Sequence, residues 1–304
     1  MSLRSTVLSI AQNSAVRGVV SDSKAARRLS KRWVPGETLD EALGAVKELN
    51  AAGISGTLDH LGENTASEAE ARTAAQVYLD MLQTITERGL DCNVSLKLTA
   101  LGLDVSPDLC RENLEAVVTR AASLGNFVRV DMEGSGYTER TLAMVREMHV
   151  RHENIGAVIQ AYLRRSDSDV HALLAERIRI RLCKGAYQEP PDVAYPLKAD
   201  VDRNYIRLSQ ELLTSGVYHG IATHDMRMIR AVIDHANRNR VPPSAFEFQM
   251  LYGIRRDLQR QLRAQGWSVR VYIPFGSHWF PYLTRRLAER PANLFFLVKN
   301  AFRG

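Results

Sequence analysis

A regular alternation of short apolar segments with longer amphipathic segments is the feature of this chain that most constrains its fold. Eight apolar or β-branched runs predict strands, at residues 54–59, 94–98, 127–131, 155–161, 178–183, 220–223, 246–250 and 269–273. Segments with helical spacing precede the first run and follow each run, at residues 38–50, 68–88, 107–123, 139–151, 167–175, 200–215, 226–238 and 255–265, with a last helix near Tyr282. Because strands that alternate with helices form parallel sheets, eight such units predict an α/β fold, a (βα)8 TIM barrel.

The length of the chain is consistent with one barrel preceded by a short arm. A (βα)8 barrel takes roughly 250 residues, and the chain has 304. Residues 1–36, which end in Val34-Pro35-Gly36, predict an N-terminal helical arm, and residues 37–304 predict the barrel as one catalytic domain. The alternative is a doubly wound open sheet. No G-x-G-x-x-G follows the first predicted strand, which weighs against a dinucleotide-binding unit of that class.

Cysteine content and charge limit the location and the partners of the protein. Three cysteines without a C-x-x-C argue for a reducing compartment and against a disulfide framework or a structural zinc site. No apolar run approaches the roughly 20 residues that span a bilayer. The net charge is +6, and the excess of Lys and Arg is largest in residues 1–40 and 251–304. We therefore expect a cytoplasmic protein whose basic ends are available for peripheral contact with the inner face of the cell membrane. The arginines are scattered rather than interleaved with aromatic residues, so we expect no nucleic-acid binding.

Polar residues recur where the predicted strands end. They are Asp59, Lys97, Asp131, Gln160, Arg181, Lys184, Thr223, His224, Gln249 and Tyr272. Any one of them has a structural explanation, such as a lysine that extends its amine to solvent or a buried, hydrogen-bonded amide. Their recurrence at the same end of all eight strands instead predicts a site at the C-terminal mouth of the barrel, where barrel enzymes carry their chemistry.

A second candidate feature lies on the predicted last helix. Tyr282, Arg285, Arg286 and Glu289 are spaced i, i+3, i+4 and i+7 and therefore share one helix face. Pro281 is suited to the first helical position. The macrodipole disfavours cations in the first turns of a helix, so the two arginines indicate either an anion site or a solvated surface face.

The residue types narrow the chemistry. The chain lacks H-x-H after the first strand, H-E-x-x-H and G-x-S-x-G, which argues against a metal site and against a nucleophile elbow. Cationic and hydrogen-bonding groups instead suit an anionic substrate together with a phosphate-bearing cofactor. Gly185-Ala186 directly after Lys184 allows the backbone to approach a bulky group closely.

Six segments together resemble one known family. They are residues 57–63 (TLDHLGE), 94–99 (VSLKLT), 181–190 (RLCKGAYQEP), 222–225 (ATHD), 246–255 (FEFQMLYGIR) and 282–289 (YLTRRLAE). In this order they resemble the proline dehydrogenase (proline oxidase) family, specifically its short monofunctional bacterial type, from about residue 38 to residue 300.

The resemblance implies an FAD enzyme on a distorted (βα)8 barrel. Such an enzyme oxidises L-proline to Δ1-pyrroline-5-carboxylate by hydride transfer to flavin N5 and passes the electrons to a membrane quinone. This is the first step of proline catabolism to glutamate, and a separate pyrroline-5-carboxylate dehydrogenase would follow it. The amine must lose a proton before hydride leaves, and we expect the charges of Lys97 and the arginines to favour the neutral amine.

The resemblance also implies roles for individual residues. The catalytic and substrate-binding residues implied are Lys97, Asp131, Ala186, Leu251, Tyr272, Tyr282, Arg285 and Arg286, with the arginine pair on the substrate carboxylate. The cofactor-binding residues implied are Gln160, Arg181, Cys183, Lys184, Gly185, Ala186, Tyr187, Thr223, His224, Gln249, Arg286 and Glu289. Gln188 and Asp225 depart from bifunctional members, which carry Trp and Asn there.

Three other interpretations remain open from the sequence. One is a flavin-dependent barrel oxidoreductase of the methylenetetrahydrofolate reductase type. Another is a Schiff-base lyase that uses Lys97 as a nucleophile, which requires a depressed lysine pKa. The third is a basic protein without enzymatic activity that binds a membrane surface or nucleic acid.

Overall fold

The computed structural model describes the backbone of residues 30–289 and the side chains of residues 30–284. Within this range eight strands alternate with nine helices. The strands are β1 Ser55–His60, β2 Cys92–Leu96, β3 Val128–Val130, β4 Ile155–Gln160, β5 Arg179–Cys183, β6 His219–Ala222, β7 Phe246–Leu251 and β8 Val269–Phe275. The helices are α1 Leu39–Ala51, α2 Glu68–Glu87, α3 Pro107–Ser123, α4 Ser135–His149, α5 Ser166–Ala175, α6 Lys198–Thr214, α7 Met226–Arg238, α8 Arg256–Ala264 and α9 Trp279–Glu289.

The eight strands form a closed barrel in chain order. Every neighbouring pair is parallel, and the barrel closes where β1 pairs with β8, from Ser55 opposite Arg270 to His60 opposite Phe275. This closure confirms the predicted (βα)8 fold and excludes the open doubly wound sheet, in which two edge strands would remain unpaired. The carboxyl ends of all eight strands therefore meet at one mouth.

Some predicted element boundaries are corrected by the structure. Helix α9 begins at Trp279, so Pro281 occupies its third position and not its first. The missing N–H of Pro281 is tolerated there because the first four N–H groups of a helix have no partner within it. Helix α4 begins at Ser135, four residues before the prediction. Thr38 precedes α1 as its N-cap and forms a capping box with Glu41.

The apolar core lies between the strands and the surrounding helices. Outward-facing strand residues such as Leu58, Val94 and Val128 are fully buried in this layer. The opposite strand faces bring polar side chains of non-adjacent strands into contact, as where Arg181 of β5 contacts Ser95 of β2. Such contacts are possible only across the interior, so the barrel is filled largely by hydrogen-bonded polar groups rather than by the usual branched apolar layers.

The described end of the predicted arm packs against α9. Trp33 and Val34 form a small buried cluster with Trp279 and Tyr282. The Trp279 Nε1–H also donates a hydrogen bond to a carboxylate oxygen of Glu37. Most of the predicted arm, residues 1–29, lies outside the described residues, so the boundary at residue 36 stays a prediction.

The three cysteines are free thiols, and two of them are buried. Among residues 30–289, no helix has both the length and the apolar character required to cross a bilayer. Of the two basic segments, residues 1–29 and 290–304 lie outside this range.

Candidate active site

One cavity of about 600 Å³ lies at the C-terminal mouth of the barrel. Its volume is within the range of small-molecule and cofactor sites. The lining residues come from the ends of β2 to β8, the loops that follow them and the start of α9. They are Lys97, Asp131, Met132, Val158, Gln160, Arg181, Cys183, Lys184, Gly185, Ala186, Tyr187, Ala222, Thr223, His224, Asp225, Gln249, Met250, Leu251, Tyr272 and Tyr282.

The cavity brings together fifteen of the residues predicted from the sequence for substrate or cofactor binding. The other three predicted residues are Arg285, Arg286 and Glu289. Their backbone belongs to α9, but their side chains are outside the described part of the chain. The choice between an anion site and a surface face therefore stays open for that helix face, apart from Tyr282, which is buried and lines the cavity.

Arg181 lies at the centre of the polar lining. Its Nη1 donates to Asp131 Oδ1 at 2.6 Å and to Ser95 Oγ at 3.1 Å, and its Nε donates to the side-chain oxygen of Gln249. The guanidinium carbon is 5.3 Å from the ring centroid of Tyr272. Arg181 Nη2 is buried and has no hydrogen-bond partner among the described residues. A buried donor without a partner is costly, so this atom is suited to an acceptor supplied by a ligand.

A chain of short contacts continues from Asp131 to Lys97. The Tyr272 hydroxyl is 2.9 Å from Asp131 Oδ2 and 2.6 Å from Asp59 Oδ2. Lys97 Nζ donates to the same Asp59 oxygen at 3.1 Å, and the Tyr78 hydroxyl is 3.3 Å from Asp59 Oδ1. Burial raises the pKa of Asp59, and the nearby Asp131 raises it further against the opposing effect of Lys97. Two carboxyl groups therefore share one phenol in a buried setting.

The charge of Lys97 is stabilised in this arrangement. Burial alone would lower the pKa of Lys97, but the carboxylates of Asp59 and Asp131 outweigh burial and raise it above its ordinary value. A Schiff-base nucleophile needs a lowered lysine pKa, so the geometry contradicts the lyase interpretation. Lys97 and Arg181 are each ion-paired with a carboxylate. The expected excess of positive charge is therefore absent from the described part of the site.

A second ion pair, between Glu247 and Arg270, holds the side chain of Gln249 in place. Gln249 Nε2 donates to Glu247 Oε1 at 2.6 Å, while its oxygen accepts from Arg181. Glu247 also accepts from Arg270 Nε at 2.9 Å and from the Tyr218 hydroxyl at 3.0 Å. Burial would raise the pKa of Glu247, but Arg270 and the hydrogen bonds hold it below its usual range. The carboxylate therefore fixes which end of the Gln249 amide faces Arg181.

A different set of groups lies at the β5 and β6 side of the mouth. Lys184 Nζ is 2.6 Å from Asp202 and 2.9 Å from Asp225. Asp225 also caps α7 by accepting from the backbone N–H of Arg227 at 3.0 Å. Both carboxylate oxygens of Asp225 are therefore used, Oδ2 by Lys184 and Oδ1 by the first turn of α7. His224 Nε2 accepts from the backbone N–H of Leu251 at 2.9 Å, so this ring nitrogen carries no proton.

The backbone at Gly185 approaches an aromatic ring too closely for any side chain. Gly185 has φ of +118°, and a Cβ there would lie 2.2 Å from Tyr162 Cδ1. Next to it, the Ala186 N–H points to Gln160 Oε1 at 3.4 Å, and Gln160 Nε2 donates to the Glu133 carbonyl at 2.9 Å. The loop after β5 is therefore fixed at the cavity wall by glycine geometry and by one oriented amide.

One group of potential metal ligands lies outside the cavity. Asp167, His171 and Glu211 each offer a ligand atom within 4.8 Å of the others. However, Arg207 is 2.5 Å from the Asp167 carboxylate and 3.5 Å from Glu211. A guanidinium thus lies where a cation would bind, and the group is an ion-pair network on the surface.

Sequence reasoning missed several residues that hold the site in place. Ser95, Glu247 and Arg270 do not line the cavity, and Asp59 was identified only as a polar strand end. All four are two residues before or after another inward polar residue on the same strand. A search for polar residues at period two would have found Ser95 before Lys97 and Glu247 before Gln249.

A sequence profile described as proline dehydrogenase matches residues 42–299. The chain is 42% identical over 270 residues to proline dehydrogenase 1 of Bacillus subtilis subsp. natto, with 89% of each chain covered. It is 40% identical over 306 residues to proline dehydrogenase of Deinococcus radiodurans, with 99% of this chain and 98% of the other covered.

A solved structure with the same fold is that of proline utilization A from Bdellovibrio bacteriovorus inactivated by N-propargylglycine. The TM-score is 0.81 at 26% identity, and the match covers 93% of this chain. It covers only 38% of that larger protein. The barrel described above is therefore similar to one part of a longer chain.

Proposed function

The chain belongs to the proline dehydrogenase family and oxidises proline, and on this premise we propose that it uses FAD, yields Δ1-pyrroline-5-carboxylate and passes the electrons to a membrane quinone. The observation on which this proposal rests most is that fifteen residues expected for substrate and cofactor line one cavity at the barrel mouth. The lyase and the methylenetetrahydrofolate reductase type are not supported by the family match, nor is a non-enzymatic binding protein.

The residues at the mouth fit a flavin. Arg181 Nη2 is a buried donor that needs an acceptor, and the oxygens and ring nitrogens of a flavin are acceptors. Gly185 lets the backbone approach the cavity wall where a side chain would collide. We propose that the cofactor is held by Gln160, Arg181, Cys183, Lys184, Gly185, Ala186, Tyr187, Thr223, His224 and Gln249, with Arg286 and Glu289 from α9.

The substrate would occupy the part of the cavity lined by the ends of β2, β3, β7 and β8. Tyr272, Tyr282 and Leu251 offer the ring faces and apolar surface that a pyrrolidine ring needs, with Ala186 at its edge. Lys97 and Asp131 supply one charge of each sign, which matches a zwitterionic amino acid. Arg285 and Arg286 would bind the carboxylate, because a guanidinium fork suits that group geometrically.

Catalysis would combine the chemistry of the cofactor with positioning by the protein. When bound, the flavin supplies the acceptor for a hydride from the substrate ring. The described side chains hold the substrate amine and ring in a fixed place and exclude water from it. Lys97, which stays cationic, contributes charge rather than a nucleophile.

The test of the proposal is the absorption spectrum of the purified protein. We expect a flavin spectrum that bleaches anaerobically on addition of L-proline and returns on addition of a soluble quinone. Pyrrolidine, which has the ring and amine but no carboxylate, is the matched control and should bleach it poorly. A colourless protein, or a flavin that L-proline does not reduce, would contradict the cofactor assignment.

Two further parts of the proposal concern partners. The basic ends would contact an anionic membrane surface, where the quinone is dissolved. A separate pyrroline-5-carboxylate dehydrogenase would consume the product. Flotation with anionic vesicles at low and high salt tests the first part, and we expect binding at low salt that high salt reverses.

A further inference from the structure

Asp59 is a buried carboxyl group next to the cavity that the proposed reaction has not used. Its side chain is 1% exposed, and it does not line the cavity. It contacts two residues that line the cavity: Lys97, whose Nζ is 3.1 Å from Asp59 Oδ2, and Tyr272, whose hydroxyl is 2.6 Å from Asp59 Oδ2 and 2.9 Å from Asp131 Oδ2. Asp131 and Tyr272 do line the cavity. The phenol therefore connects a cavity carboxylate to an interior one.

When Asp59 and Asp131 are both ionised, the Tyr272 hydroxyl has too few hydrogen atoms to form a hydrogen bond with each of them. A phenol has one hydrogen and can donate it to only one of its two oxygen neighbours. The other carboxylate oxygen would then face the phenol oxygen at hydrogen-bond distance with no hydrogen between them. One added proton removes this conflict, because Asp59 Oδ2–H can donate to Tyr272 while Tyr272 donates to Asp131. The geometry accommodates a proton on Asp59.

We propose that Asp59 is the internal acceptor of the proton that the substrate ammonium loses before oxidation, with Asp131 and Tyr272 as the path. The proposal rests on the proposed function, because it places the amine of proline beside Asp131. Asp59 acts through Tyr272 and does not contact the substrate.

The transfer balances in atoms and charge. The ammonium N–H bond breaks, its electron pair stays on nitrogen, and the proton binds Asp131 Oδ2. That proton passes to the Tyr272 oxygen as the phenol hydrogen moves to Asp59 Oδ2. Asp131 is an ion again, Tyr272 is a neutral phenol, Asp59 is a neutral acid, and the substrate amine has a free electron pair. The proton returns to solvent after the product leaves.

The surroundings explain why Asp59 and not Asp131 keeps the proton. Asp131 Oδ1 accepts from Arg181 Nη1 and from Ser95 Oγ, both at 2.6 Å, so a guanidinium lies directly against this carboxyl group. Asp59 faces Lys97 from the end of β2, Asp131 from the end of β3, Tyr78 from α2 and Tyr272 from β8. Burial, together with Asp131, raises the pKa of Asp59 despite Lys97.

The deciding experiment is anaerobic flavin reduction by saturating L-proline from about pH 6 to pH 10 in the wild type and in Asp59→Asn. Without the acceptor, the amine must lose its proton to solvent, and an aliphatic amine has a pKa of roughly 10. We expect the Asp59→Asn rate to fall about tenfold per pH unit below that value. It would be about 10³-fold below the wild type at pH 7 and close to it at pH 10. The wild type should reach its plateau at lower pH.

A matched control separates proton transfer from packing. Tyr78→Phe removes the other hydroxyl bonded to Asp59, on the side away from the path. We expect its pH profile to keep the shape of the wild-type profile. If Asp59→Asn lowers the rate of flavin reduction by the same factor at every pH, Asp59 only supports the fold of the site, and the proposal is overturned.

A second measurement covers the case in which Asp59→Asn does not fold or does not retain flavin. Infrared difference spectra of the wild type during reduction by L-proline should show a new protonated-carboxyl band that shifts in D₂O. Absence of that band overturns the proposal. A wild-type flavin that L-proline fails to reduce would instead contradict the proposed function, so the two failures are distinct.

Discussion

Glu247 offers the sharpest test of how the barrel interior is held together. Its side chain is 5% exposed and accepts from Arg270 Nε, Gln249 Nε2 and the Tyr218 hydroxyl at 2.6–3.0 Å. In Glu247→Gln, one amide oxygen replaces two carboxylate oxygens and the amide adds two donors. At least one of the three donors then lacks an acceptor, and Arg270 becomes a buried charge without its short ion pair, with only the exposed Asp91 carboxylate 4.0 Å away.

The magnitude follows from that unpaired charge. Breaking a buried ion pair from one side costs about 3–5 kcal/mol, a large part of the roughly 5–15 kcal/mol that stabilises a native protein. For a chain of this size the melting temperature should fall by about 6–20 °C. Thermal and urea unfolding of Glu247→Gln at pH 7, followed by circular dichroism, measures this.

Two further variants make the test decisive. Glu176 forms an exposed ion pair with Arg146, and Glu176→Gln should cost less than about 1 kcal/mol. The double variant Glu247→Gln/Arg270→Gln should be more stable than the sum of its single effects by about 2 kcal/mol, because the unpaired charge is then gone. If Glu247→Gln lowers the free energy of unfolding no more than Glu176→Gln does, or if the double variant is additive, the interior ion pair does not stabilise the barrel.

Three other predictions follow from single residues. Burial lowers the pKa of His219 to about 3, and its Nδ1 accepts from the Ile180 N–H. As the pH falls, His219 therefore binds a proton in the unfolded chain before it does so in the folded protein. The contribution of neutral His219 to the free energy of unfolding should be fully present above about pH 6.5, and about 2 kcal/mol of it should be lost by pH 5. Urea titrations at the two pH values measure this loss, which should be smaller in His219→Asn. Gly185→Ala should lose bound flavin, measured by absorbance per protein, because its Cβ would lie 2.2 Å from Tyr162; flavin content equal to that of the wild type would contradict this. Arg285→Met should raise the apparent KM for proline at least tenfold with a smaller change in kcat, and an unchanged KM would remove Arg285 from carboxylate binding.

The positions of the strands were predictable because of their burial. A strand of a parallel barrel is covered by helices on one face, and its outward residues must be apolar, so runs such as residues 155–161 stand out from the helices between them. The residues that follow these strands were predictable as a site for the same reason, since closure of the barrel places them at one mouth. Strand ends were less certain: β2 ends at Leu96, and Lys97 already belongs to the loop.

The polar interior was not predictable from the sequence in the same way. Period-two alternation assigns Glu247 and Gln249 to one face, but only strand register shows which residues meet. Gln249 lies opposite Arg270, and that pairing brings the Glu247 carboxylate to the Arg270 guanidinium. The path from Asp131 to Asp59 likewise depends on where the Tyr272 hydroxyl lies between two strands that are not neighbours of each other. Such distances follow from barrel geometry and not from spacing along the chain.

The balance of charge in the interior bears on the reaction itself. Lys97 and Arg181 are paired with Asp59 and Asp131, so these four residues are neutral in total, as is a zwitterionic substrate. Release of the ammonium proton to solvent would lower the total charge of these four residues and the substrate by one unit, and such a change is costly where water is excluded. Transfer to Asp59 keeps the total charge constant, because the carboxylate is neutralised as the ammonium is. A buried acceptor beside the cavity therefore lets the amine become neutral without changing the charge of the enclosed site.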